Sequence, residues 1–178
     1  MASKIKIIFL ALILILAFFL RLYRLTEPLA DWHSWRQADT AAVGRDFVNY
    51  GIDLLHPKYD DLSSIPSGKE NPEGYRMVEF PILGGLQALA YQNIPIINFE
   101  ITARLINIGF SLLAIAFLFM IAREISGSAL GLLSAFIYAV LPYNVYYGRA
   151  ILPEPMMIAC SLISIYFFIR GAFNFHPP

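Results

Sequence analysis

The chain has 178 residues, 58% of them hydrophobic and only 15% charged, and its 13 basic and 13 acidic side chains cancel to a formal charge of zero. Soluble domains carry roughly 25% charged residues. This composition excludes a disordered chain, the absence of net charge speaks against a nucleic-acid partner, and the lone Cys160 excludes an intrachain disulfide framework or a cysteine-only zinc site.

A mean hydropathy of +0.60 indicates a membrane protein. Residues 21–80 hold seven basic and ten acidic side chains, and long apolar runs lie on either side of them. The first run, Ile5–Leu20, is interrupted only by Lys6. It predicts a transmembrane helix within residues 1–25, with Lys4, Lys6 and Arg21 snorkelling at its ends. The RLYRLTEP segment that follows has no small-residue cleavage pattern, so an uncleaved anchor is expected rather than a signal peptide.

Residues 26–101 read as a large outer loop. Ser34 and Gln37 have capping-box spacing and Gly51 suits a helix end, which predicts a surface helix over about 35–50. Its spacing gathers Val43, Phe47 and Tyr50 on one side, with Asp39 and Asp46 along the edge of that stripe. The stretch SSIPSGKENPEG reads as a turn-rich loop. Beyond Pro81, the residues Ile82, Leu83, Leu86, Leu89 and Ala90 recur at helical spacing, predicting a second short amphipathic helix over 81–94, lying in the interface.

Three further spans are expected at 102–122, 128–147 and 156–170, the last two joined by a short outer loop, 148–155. With the N-terminus cytoplasmic, four spans put Arg123 and Arg170 inside as well, in keeping with the positive-inside rule; a fifth span at 81–97 would reverse them. The expected fold is therefore all-α and integral to the membrane, with four transmembrane helices and an outer loop carrying short juxtamembrane helices.

No glycine-rich phosphate loop, GxSxG, HExxH or CxxC motif occurs. His33, His56 and His176 are most economically turn or surface residues; His33 with Asp31 is the pairing that could join distant carboxylates at a divalent ion. Trp32 and Trp35 suit interfacial anchors. Arg149 and Glu154 in GRAILPEP could end two helices as an ion pair, but charges at a membrane boundary are costly unless used.

A first span, a large outer loop, VEFPILGGLQALAY, ARLINIGFSLLAIAFLFMIARE and LPYNVYYGRAILPEPMM follow one another in an order that resembles the N-terminal part of GT-C-type membrane glycosyltransferases. These are enzymes of the dolichyl-phosphate-mannose protein mannosyltransferase type, and their bacterial members include the transferase that adds aminoarabinose to lipid A. The resemblance covers nearly all of this chain but about the first third of a usual member. It implies a polyprenyl-phosphate-linked sugar donor, hexosyl or pentosyl transfer at the extracytoplasmic face, a prokaryotic plasma membrane, and a C-terminal part or second chain that completes the enzyme. A divalent ion serves in some members.

The family's first-loop acid aligns near Arg36-Gln37, where this chain has no carboxylate; Asp39 is the first substitute and Asp31 the second. Glu154 matches the acidic position of the second loop. Arg36, Glu79 and Arg149 are expected to bind substrate or the lipid phosphate, Glu79 alternatively a metal. The rival reading is a non-catalytic membrane subunit or transporter fragment whose outer loop binds a partner.

Overall fold

The computed structural model describes residues 2–29, 32–64, 68–95 and 97–174. Among the described residues seven helices follow in order: α1 (Ala2–Arg21), α2 (Ser34–Tyr50), α3 (Ile82–Asn93), α4 (Phe99–Ser126), α5 (Ser128–Val140), α6 (Pro142–Tyr147) and α7 (Glu154–Asn174). Among the described residues there is no strand, only an isolated antiparallel bridge between Lys58 and Tyr75. Among the described residues two helices are long and apolar enough to cross a membrane, Phe99–Ser126 and Glu154–Ala172. The helix of the last run is longer than its apolar core because Glu154 and Pro155 form its first turn, where proline's missing N–H costs nothing.

The chain divides into two compact units, residues 1–25 with 107–178, and residues 26–106. In the first, Ala17, Ile115, Phe119, Ala135 and Ala139 form the core, joined by Leu10, Ile13, Leu14, Leu112 and Leu132. Small residues let the helix backbones approach closely. At Gly131 a Cβ would lie 2.9 Å from the Phe119 carbonyl oxygen, so no larger residue fits there. Large apolar side chains face outward, among them Ile7, Phe19, Leu133, Phe136, Phe167 and Phe168. A surface of this kind suits hydrocarbon rather than water.

The run 128–147 is two helices, not one. Pro142 disfavours helical geometry at the residue before it, and Leu141 is extended at φ −61° and ψ 122°. Pro142 then opens α6 from the first turn. Arg21 does not snorkel either: it is fully buried.

In the second unit, α2 packs against α3. Its buried residues are Gln37, Thr40, Ala41, Ala42, Val43, Gly44 and Phe47. A Cβ on Gly44 would come 2.5 Å from the tip of the Phe99 ring, so that glycine makes room for the start of α4. Tyr50 leaves the expected stripe and is 84% exposed. The capping box does not form. His33, left-handed at φ 58°, takes the cap position, which moves Ser34 into the helix, and the Gln37 amide donates to the Trp32 carbonyl instead (3.0 Å). On α3 the buried residues are Leu83, Gly84, Gly85, Gln87 and Ala88. Ile82, Leu86 and Leu89 are exposed, so the apolar stripe of this helix is mostly its outer face.

Candidate functional site

In the unit of residues 26–106 the polar stretch before α3 is a built turn. The Asn71 carboxamide accepts from the Tyr75 N–H (2.9 Å) and donates to the Tyr75 carbonyl (3.0 Å). Gly74 closes the turn at φ 66°, and a Cβ there would lie 2.8 Å from the Tyr59 carbonyl oxygen, so both backbone and space require glycine. The adjoining backbone pairs with the chain at Pro57 and Tyr59. The following residues are thereby delivered to one turn of α2.

There Arg76 meets Asp39 at 3.1 Å, and its guanidinium lies 5.1 Å from the centre of the Tyr59 ring. Glu79 stands 3.7 Å from Arg36, with the Thr40 hydroxyl 3.4 Å from its other oxygen. The cluster is two cation–carboxylate pairs side by side, Arg36 with Glu79 and Arg76 with Asp39. Three residues singled out in the sequence, Arg36, Asp39 and Glu79, are thus brought together, and Arg76 is added. Arg76 engages Oδ2 of Asp39 and so orients the carboxylate, whose side chain is 28% exposed. Asp31 lies outside the described residues. Beside the cluster, Leu54, Leu55, Pro57, Met77, Val78 and Phe80 line an open apolar groove of about 290 Å³, with Glu79 on its wall.

In the helical unit the loop between α6 and α7 is held by buried donors. Arg149 is buried, donates to the Arg24 carbonyl at 3.0 Å and lies 5.1 Å from the centre of the Tyr146 ring. Arg24 adopts a left-handed conformation, φ 57°, in the turns that end α1. The Asn107 amide on α4 donates to the carbonyls of Ala150 and Leu152, the latter at 2.9 Å. Arg21 donates to the Ser111 hydroxyl (2.9 Å) and to the carbonyls of Ala17 (3.0 Å), Ala139 (3.1 Å) and Asn144 (3.2 Å). Ile151 and Leu152 are buried, and Glu154 opens α7.

Residues 96–174 match the family model described as dolichyl-phosphate-mannose-protein mannosyltransferase. This stretch is glycosyltransferase-like. The match bears out the resemblance read from the sequence over α4 to α7, including the loop with Arg149 and Glu154; it does not reach Asp31, Arg36, Asp39 or Glu79. No curated protein and no solved structure matches the chain.

Among the described residues no three His, Cys, Asp or Glu side chains converge as metal ligands. His56 is committed locally, its Nδ1 2.9 Å from Asp53 Oδ2 on an exposed turn, and Asp39 and Glu79 each face an arginine. His176, like Asp31, lies outside the described residues.

The residues that sequence reasoning missed are Arg76, Asn107 and Arg21. Asn107 carried a usable signal, a lone amide near the end of an otherwise apolar run. Arg76 carried none, since only the Asn71–Tyr75 turn aims it at α2.

Proposed function

We propose that this chain is the N-terminal part of a membrane-integral glycosyltransferase that moves a sugar from a polyprenyl-phosphate donor to an acceptor at the extracytoplasmic face of a prokaryotic plasma membrane. The observation that carries this reading is the match of residues 96–174, which takes in α4 to α7 and the loop between the last two runs. Four spans are part of the reading: α1, α4, α5 continued by α6, and α7. Lys4, Lys6, Arg123 and Arg170 then share the cytoplasmic side.

In the reaction the bond from the sugar's anomeric carbon to the phosphate oxygen breaks, and one from that carbon to an acceptor oxygen forms. The acceptor proton passes to a carboxylate, and the polyprenyl phosphate departs carrying the bonding electron pair. Asp39, whose orientation Arg76 fixes, is the base assigned to the first loop, with Asp31 as the alternative. Arg149 stabilises the negative charge that builds on the departing phosphate, and Glu154 orients the sugar from the same loop. Arg36 and Glu79 contact substrate from the first loop. The apolar groove beside Glu79 suits the chain of a lipid acceptor, which favours a lipid over a protein or a glycan.

The test is Asp39→Asn and Glu154→Gln in the complete transferase. Both should abolish sugar transfer while membrane insertion is kept, and near-normal turnover in both overturns the site. Cysteine labelling should place positions 60–75 outside and residues after Arg170 inside. The opposite pattern overturns the topology.

A further inference from the structure

Arg149 is useful to a departing phosphate only if its guanidinium is held in place before the phosphate arrives. A loop of six residues between two helices, 148–153, would ordinarily sample many backbone conformations. This one is pinned from both sides, by donors that come from other helices.

On the C-terminal side, the Asn107 carboxamide gives both of its protons to backbone carbonyls, those of Ala150 and Leu152. Asn107 is fully buried. The two carbonyls flank Ile151, so this one amide fixes the peptide planes immediately after Arg149. On the N-terminal side, Arg21 ties α6 to the helices around it through the Asn144 carbonyl, the Ala139 carbonyl and the Ser111 hydroxyl. Gly148 sits against this clamp. A Cβ there would lie 2.6 Å from Arg21 Nε, from the Asn144 oxygen and from the Ser111 hydroxyl. Its φ is an ordinary −66°, so space rather than backbone freedom calls for glycine. The chain from Asn144 to Leu152 is therefore held at both ends, with Arg149 between the two clamps.

We infer that Arg21 and Asn107 are positioning residues for Arg149, holding the second outer loop preformed so that its guanidinium meets the donor phosphate without rearrangement. This rests on the reading of Arg149 as the phosphate-binding group. A misplacement of about 1 Å costs catalytic and binding groups heavily; at metal sites, removing the partner that orients a ligand costs about 10–100-fold, and a loss on that scale is expected here.

The experiment titrates the chain in detergent micelles with undecaprenyl monophosphate, following the dissociation constant and the phosphorus NMR line of the bound phosphate, beside the thermal unfolding midpoint. Asn107→Asp keeps the shape of the side chain and replaces the donating amide with an oxygen. It should weaken binding about tenfold or more and move the phosphorus line to the position given by Arg149→Gln. In the Arg149→Gln background it should add nothing further. Gly148→Ala, which displaces the Arg21 clamp without touching Asn107, should give the same pattern.

Unchanged affinity and an unchanged phosphorus line in a folded Asn107→Asp protein, or in Gly148→Ala where the former does not fold, overturns the inference. So does equal weakening with and without Arg149. If Arg149→Gln itself binds like wild type, the reading of Arg149 fails instead, and the two failures are distinct.

Discussion

Surface and enclosed charged or polar side chains are stabilised in different ways. Toward the surface of each unit cation meets carboxylate: Arg76 with Asp39, Arg36 with Glu79, Arg45 with Glu100 at 2.9 Å and Lys58 with Glu73 at 2.7 Å in residues 26–106, and Arg123 with Glu124 at 3.1 Å in the helical unit. The enclosed donors Arg21 and Asn107 in the helical unit, and Arg104 in residues 26–106, instead donate to backbone carbonyls and, for Arg21, one hydroxyl. The distinction follows from solvent. Exposed ion pairs are screened and contribute about 0–1 kcal/mol, so they orient groups more than they stabilise the fold. A donor enclosed between apolar helices has no water to fall back on, and its partners lose theirs when it goes.

The largest expected effect breaks that comparison directly. Arg21→Leu leaves the Ser111 hydroxyl and three carbonyls without their donor, and the unfolding midpoint in detergent should fall by the equivalent of about 2–4 kcal/mol. Arg76→Leu, at a partly exposed pair, should cost no more than about 1 kcal/mol. Equal losses in the two variants would erase the distinction.

Next is a change of opposite sign. Gln87 on α3 is fully buried, and neither its amide nitrogen nor its oxygen has a hydrogen-bond partner among the described residues. Gln87→Leu, of similar volume, should raise stability by about 1 kcal/mol or more in the same unfolding measurement. A destabilised variant would mean that the amide has a role the packing does not reveal.

A smaller effect depends on pH. Burial raises the Asp46 carboxyl above the usual carboxylate range; Lys58 acts against that shift and Asp60 adds to it. A carboxylic acid with a raised folded-state pKa penalises the fold above that pKa, and the penalty disappears as the pH falls below the unfolded value of about 3.9. Asp46→Asn should therefore be slightly more stable than wild type at neutral pH, and the gain should shrink on acidification. A gain that grows as the pH falls would reverse the assignment.

The smallest effect belongs to Lys58 and Glu73, where the hydrogen bond raises the lysine and lowers the glutamate from their ordinary values. Both side chains remain largely in water. Lys58→Ala should leave the unfolding midpoint unchanged within error once salt is high.

Much of the helical layout was legible in the sequence. Apolar runs marked α1, α4 and α7, and the short helices at 35–50 and 81–94 correspond to α2 and α3. What one helix's periodicity does not carry is the identity of its neighbour. Spacing grouped Leu83 with Ile82, Leu86 and Leu89, yet α2 packs on Gly84 and Ala88, so most of that stripe faces out. The same limit explains Tyr50, which lies on the Val43 and Phe47 side by spacing but has nothing packed over it. Arg21 looked like a snorkelling end residue because its partners, Ser111, Ala139 and Asn144, are 90 to 123 positions away. Of the candidate site, Arg36, Asp39 and Glu79 were legible as charges in one loop. Their pairing was not, because it depends on the turn built by Asn71 and Gly74.

The break at Leu141 has a consequence for depth. Helix α5 has 13 residues and rises about 20 Å, against roughly 30 Å of hydrocarbon. It cannot cross alone, and what remains of the slab must be filled by α6 or given up by the bilayer. Tyr143, Tyr146 and Tyr147 stack on one another on that six-residue helix, as aromatic residues do where lipid tails give way to headgroups. On the proposed four-span reading, whatever depth α6 does not fill shortens the distance a lipid phosphate would descend beside this helix.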